Sequence, residues 1–291
     1  MDDSLARWLE LREPHDGAAR DTALVDGLVR ALPDVPALRV LDLGTGTGSN
    51  LRYLMRRLPV AQEWLLVDKS PGVLRWTVER TSAWAAAHGL QLEPAGDGFT
   101  VRGDSVNCRV CVRQQDLDLP IERGLFEDRH LVTGAALLDL VSDTWIREVA
   151  GRCREARAAA LFVLTYNGQT AFEPHDAGDD LARDLLNAHQ LRDKGLGGPA
   201  AGPLAHARAV HWFVDAGFEV REATTDWEID ATAAAFQRAL IDGLAGAAVE
   251  QRPDTAATMS SWRTRRLGHL EGGRSRAIVG HHDVAAWPRP R

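Results

Sequence analysis

From residue 38 onward the chain alternates short apolar runs with amphipathic stretches. LRVLDLG (38–44) is apolar enough to be a buried strand, and SNLRYLMRRL (49–58) repeats its apolar residues at helical spacing. EWLLVDKS (63–70) is a second buried strand, closing on Asp68. Pro71 suits the first turn of a helix that runs to Gly89. Asp97 between Gly96 and Gly98 marks the turn of a small hairpin, and a third core strand follows over 108–115. The stretch 131–142 reads as strand then helix, and 159–168 as another strand. Residues 203–217 form a helix with Pro at its start and Gly at its end, and 218–229 a sixth strand with an extension. A helical region over 231 to about 268 and a closing strand over 275–287 complete the pattern.

Repeated strand–helix units predict a parallel sheet covered by helices on both faces. The expected fold is therefore α/β, Rossmann-like and doubly wound, in a single domain spanning 1–291. Within it, 1–35 is a helical cap, 36–223 the core, and 224–291 the C-terminal helices with the closing strand. Residues 168–203 exceed the roughly 2–6 residues of an ordinary connection in such units, which predicts a lid insertion.

The densest chemical signal is VLDLGTGTG at 40–48. Gly44, Gly46 and Gly48 alternate at the end of a buried strand. Without a Cβ they let the backbone turn sharply and let a ligand approach main-chain N–H groups. Asp68 ends the second strand, where a carboxylate can accept from ribose hydroxyls, and Asp116 follows the third strand. A nicotinamide fingerprint wants a sixth-position glycine, and Ser49 stands there. The D-x-G-x-G-x-G run resembles motif I of class I S-adenosylmethionine (SAM) dependent methyltransferases of the bacterial small-molecule type. The resemblance covers roughly residues 38–225 and the closing strand. It implies a seven-stranded sheet with a terminal antiparallel strand, and SAM as methyl donor with S-adenosylhomocysteine (SAH) as product. It also implies a cofactor site at Asp42, Gly44, Thr45, Gly46, Asn50, Asp68, Lys69, Gln115, Asp116 and Leu117, with Thr133, Gly134 and Ala135 lining the reaction side.

Methyl transfer needs a nucleophile held about 3 Å from the methyl carbon and shielded from water. A weakly acidic alcohol or a protonated amine also needs a base. His175 or His189 is the expected base or orienter, with Tyr166 and Asp139 behind them. Trp8, Arg12, His15, Asn167, Asn187, Gln190 and Lys194 are candidate substrate contacts on the cap and the lid, and an arginine there suits a carboxylate or phosphate. His281 and His282 sit on one strand and face opposite ways, so a strand-end role is expected for them and no metal. The expected activity is base-assisted, metal-independent methylation of O or N on a small polar metabolite. A nicotinamide oxidoreductase, an aminopropyl-transferring enzyme and a non-catalytic SAM-fold module remain alternatives.

Composition narrows the partners. A formal net charge of −7 with no long basic run disfavours nucleic acid, and Arg263, Arg265 and Arg266 read as a solvated helix face. The first residues carry no signal-type apolar segment, and no window reaches the roughly 18 apolar residues of a membrane span, so a cytoplasmic monomer or homodimer acting on a small molecule is expected. Three cysteines do not make a disulfide framework, and Cys108 and Cys111, three apart on a strand, point to opposite faces.

Overall fold

The computed structural model describes residues 2–59 and 61–289. Five parallel strands build its centre: β1 (Leu38–Leu43), β2 (Ala61–Asp68), β5 (Val106–Gln114), β6 (Leu131–Ala135) and β7 (Ala159–Glu173). The hairpin β3 (Gln91–Ala95) and β4 (Gly98–Gly103) pairs antiparallel with the outer edge of β5. At the other edge lie β8 (Phe218–Thr224), β9 (Trp227–Ile229) and β10 (Arg276–Pro288). The order is β3-β4-β5-β2-β1-β6-β7-β10-β8, with β9 on β10. The closing strand β10 runs antiparallel between β7 and β8. The sheet is thus doubly wound with a terminal antiparallel strand, and it has ten strands where seven were expected. The three additions are the hairpin, which covers the open edge of β5, and the short β9.

Nine α-helices lie among the described residues: α1 (Asp2–Ala19), α2 (Thr22–Ala31), α3 (Ser49–Leu54), α4 (Pro71–Ala87), α5 (Asp143–Ala156), α6 (Asp179–Gln190), α7 (Ala205–Asp215), α8 (Ala234–Gln251) and α9 (Ala256–Glu271). Alternation along the strands splits the core between two faces. Leu41, Leu43, Val67 and Phe162 pack under α5 and α7 with Trp145 and Phe213. Val40, Leu66, Leu161 and Val163 pack under α2 and α3 with Leu28 and Leu51. None of these helices is long and apolar enough to cross a membrane.

A third apolar cluster extends beyond the parallel sheet, where β7 and β10 overshoot it. Phe172, Ala277 and Val279 meet Phe236, Leu244 and Trp262 there, from α8 and α9. This changes the picture of the lid. Its first residues are not loop but the continuation of β7 to Glu173, and its helix α6 is bolted down. Asp179 accepts from Trp262 Nε1 (2.8 Å) and Arg266 Nε (2.8 Å), and forms a second ion-pair contact with Arg266 Nη2. Arg266 is fully buried, not solvated, because its face of α9 turns toward α6. The helix expected directly after β6 is also displaced. Residues 138–140 make a tight 3₁₀ turn, and α5 begins only at Asp143, where Ser142 caps Trp145 N (3.1 Å).

Candidate active site

The glycine turn leaves β1 at the carboxyl ends of the parallel strands, where doubly wound sheets bind ligands. Gly44 and Gly46 have φ of +63° and +56°, a region L side chains avoid. Asp42 lies beneath the turn, fully buried, accepting from Thr45 Oγ1 (2.6 Å) and Asn50 Nδ2 (2.7 Å). Burial pushes its carboxyl up to about 6 against those two hydrogen bonds and Arg20, and the nearby charge of Asp68 adds to the rise. Asp68 fixes the turn from the next strand: its Oδ2 accepts from Gly46 N (3.0 Å) and its Oδ1 from Ser70 N (3.0 Å). Asn50 links the turn to β6 through Thr133 Oγ1 (3.0 Å) and to the cap through Arg20 Nη1 (2.9 Å). Arg20 is buried and packs over the Tyr53 ring at 3.8 Å, and its Nε and Nη2 have no partner.

A cavity of about 850 Å³ opens from this turn. Gly44, Gly46, Asp68, Lys69, Leu117 and Ala135 line one end. The other end reaches Tyr166, Trp227, Leu240, Leu244, Val279 and His281, and α1 contributes Leu5, Trp8, Leu9 and Arg12. A smaller recess of about 270 Å³ shares Ala135 and Leu164 with it and is lined by Arg20, Ser49 and Tyr53. Two cavity-lining residues hold left-handed backbone, Ala136 (φ +49°) and Leu164 (φ +56°). Strain of this kind persists only where surrounding bonds impose it. For Leu164 the bond comes from Asp283, whose Oδ1 accepts from Leu164 N (2.7 Å) and Thr225 Oγ1 (2.8 Å). The register between β7 and β10 also slips between Val279 and His281, leaving His281 opposite Tyr166.

Of the residues expected from sequence, the cavity gathers Gly44, Gly46, Asp68, Lys69, Leu117, Ala135, Asp139, Tyr166, Trp8, Arg12 and Gln190. Asp42, Thr45, Asn50 and Thr133 form the bonded layer behind it, Thr133 Oγ1 donating to Leu161 O (2.7 Å). Gly134 is packed tightly, since a Cβ there would lie 3.1 Å from Leu43 O. Gln115 and Asp116 do not line the cavity. Gln115 Nε2 donates to Glu122 (2.7 Å), and the exposed Asp116 accepts from Asp118 N (3.1 Å).

Both expected bases also stand outside the cavity lining. His175 is exposed beside Asp179 (3.5 Å), and His189 pairs with Glu250 (3.1 Å) on the far side of α6, with Lys194 Nζ donating to its carbonyl (3.2 Å). His15 stacks on Phe236 with ring centroids 4.6 Å apart. Asn167 closes a local turn with Gln169 N (3.0 Å), and Asn187 sits behind Tyr166, accepting from its hydroxyl (3.0 Å).

Asp139 is one of the carboxyls that line the cavity. It is buried, its Oδ1 has no hydrogen-bond partner, and its Oδ2 lies 3.5 Å from Gln190 Nε2. Burial pushes its carboxyl up to about 6, opposed by the amides of Asp139 and Tyr166 and by the charges of Arg12 and Lys194. Arg12 is itself buried and paired with Asp16 (2.9 Å). The Tyr166 hydroxyl is pushed up to about 12 by burial and stays protonated. His281 is the residue that sequence reasoning set aside. Burial and the charge of Arg12 lower its imidazole to about 3, so the ring is neutral, and its Nδ1 has no partner. Trp227, Leu240, Leu244 and Val279 were also missed.

No family model and no curated protein matches the chain. Solved structures similar to it include a SAM-dependent methyltransferase from Geobacter sulfurreducens in complex with SAH, at 16% identity and TM-score 0.44, covering 93% of this chain and 92% of that one. A putative methyltransferase from Bacillus halodurans follows at 13% identity and TM-score 0.46, covering 92% and 99%. A cyclopropane synthase from Mycobacterium tuberculosis has 10% identity and TM-score 0.45, covering 90% and 83%. Each is a likeness of chain course at low identity.

Proposed function

We propose that this protein is a SAM-dependent methyltransferase acting on an oxygen or nitrogen of a small molecule. The observation that carries the reading is the glycine turn held between two carboxylates, Asp42 beneath it and Asp68 beside it, at the mouth of one continuous cavity. A dinucleotide brings a diphosphate, which two carboxylates repel; a sulfonium with an ammonium group is cationic and suits them. The turn's open backbone admits the ligand, and Asp68 retains lone pairs for ribose hydroxyls beyond the two amides it holds. The buried positive charge of Arg20, which lines the adjoining recess, favours the methionine carboxylate there.

When bound, SAM supplies an activated methyl group: the acceptor's bond to carbon forms as the carbon–sulfur bond breaks, and the electron pair stays on sulfur to leave SAH. The protein's own part is threefold. The apolar wall and α1 exclude water. Asp139 Oδ1 receives the proton that the acceptor loses, and its raised value keeps it suited to that task near neutral pH. Tyr166, fixed by Thr170 (3.2 Å) and Asn187, holds the far wall in place. No step in this account calls for a metal. Titration calorimetry tests the reading: SAH and SAM should bind and NADH should not. Tight NADH binding with no response to SAH would refute it.

A further inference from the structure

Resting on that reading, we infer that the methyl acceptor is a mainly apolar molecule with one hydroxyl or amino head, seated against the His281 imidazole and the Asp139 carboxylate, its body lying along the wall made by α1, α8 and β10. The lining carries the argument. Trp8 of α1, Leu240 and Leu244 of α8, Trp227 of β9 and Val279 of β10 line the cavity beyond the glycine turn, and Leu9 of α1 continues this apolar lining back to Gly46. Several of the polar side chains that also reach it are engaged within the protein. Arg12 pairs with Asp16, Tyr166 with Thr170 and Asn187, and Asp242 with Arg263 at 2.6 Å. Three atoms of lining side chains have no hydrogen-bond partner: Asp139 Oδ1, Trp227 Nε1 and His281 Nδ1.

A sugar, nucleoside or amino acid would bring many polar groups to a wall with few partners for them, and each unpaired group would oppose binding. A molecule with an apolar body and one polar head meets both conditions, burying the body along the wall and bringing its single head to the few polar groups left without partners. The His281 ring is held by its neighbours, edge to face with Tyr166 at 6.2 Å and tilted against Trp227 at 4.4 Å, so its direction is set before the ligand arrives. Because it is neutral, it can take the head's hydrogen bond without competing for the proton that Asp139 receives.

The test uses the full chain loaded with SAH and three probes: 4-butylphenol, butylbenzene and glucose. Binding is followed by tryptophan fluorescence, since Trp8 and Trp227 line the cavity. The phenol should bind about tenfold more tightly than the hydrocarbon, the ratio expected for one hydrogen bond to a charged acceptor, and glucose should not bind. In His281→Phe and Asp139→Asn the advantage of the phenol should shrink to about threefold or less. Butylbenzene and SAH should still bind both variants, which shows that each is folded. Equal affinity of phenol and hydrocarbon for the wild type, an advantage intact in both variants, or preferred binding of glucose would overturn the assignment. SAH binding with no response to either aromatic overturns the acceptor class alone and leaves the methyltransferase reading standing. Failure of SAH itself to bind removes both.

Discussion

Replacing Asp139 by Asn should make the protein more stable and less active, and the stability gain should depend on pH. In the fold, burial raises the Asp139 carboxyl from 3.8 to about 6. An acid whose value is raised on folding favours the folded state fully only below its unfolded value. That contribution is lost as pH rises through the folded value, here between about 4 and 6. Above this window the folded protein carries a buried carboxylate with one unpartnered oxygen, at a cost of about 3 kcal/mol for a shift of this size. Asparagine is nearly isosteric and has no charge to bury. Relative to the wild type, Asp139→Asn should gain about 1–2 kcal/mol at pH 5 and about 3 kcal/mol at pH 8. The other buried carboxyls with raised values, Asp16, Asp42 and Asp283, are present in both proteins and cancel in the difference. Urea denaturation of the free protein at the two pH values, followed by circular dichroism, measures this directly. A gain that is flat with pH, or a loss at pH 8, would refute the placement of Asp139 as an unpaired buried acid. The same variant should lose most of its methyl transfer, as expected when a residue is kept for chemistry at the expense of stability.

Three other substitutions probe the rest of the site. Asp68→Ala should weaken SAH binding by about 1–3 kcal/mol in calorimetry, since it removes a charged acceptor that also orders Gly46; unchanged affinity would remove Asp68 from the cofactor site. Gly46→Val forces a branched side chain into φ +56° with its Cβ 3.2 Å from Leu9, so a strain of about 1–3 kcal/mol should appear as a lower melting temperature, with SAH affinity falling further than in Asp68→Ala. Arg266→Leu strands Asp179 without its buried partner and should cost about 3–5 kcal/mol in chemical denaturation; a near-neutral result would mean that α6 does not depend on this pair.

Residues whose position follows from local chain geometry were legible in the sequence. The strand–glycine–helix run set β1, its turn and Asp42, and the next apolar run set β2 with Asp68 at its end. Asp116 was harder, because β5 stops at Gln114 and the segment after it turns on its own side-chain bonds to solvent. His175 and His189 were selected because the segment 168–203 is rich in polar residues, yet His175 lies before α6, and which face of α6 meets the cavity is set by α8 and α9, far away in sequence. For His281 the signal was present and only half used. Alternation places neighbouring strand residues on opposite faces, which excludes a shared metal ion but also sends one histidine of the pair inward. Arg266 was misjudged for the same reason as α6: the third apolar cluster exists only once β7 and β10 are seen to overshoot the sheet.

That overshoot also bears on the order in which the site comes into being. Asp42, the glycines and Asp68 all lie within residues 38–68, so the proposed cofactor cradle is assembled from neighbouring segments with short loop closures. The acceptor end joins α1 to α8 and to His281 on β10, contacts between segments widely separated along the chain. During synthesis from the N-terminus, Trp8 and Leu9 emerge long before the strand that completes the compartment they cover. On the proposed reading, the choice of acceptor depends on the last strand of the sheet to be synthesised, β10, which runs antiparallel to both of its long neighbours.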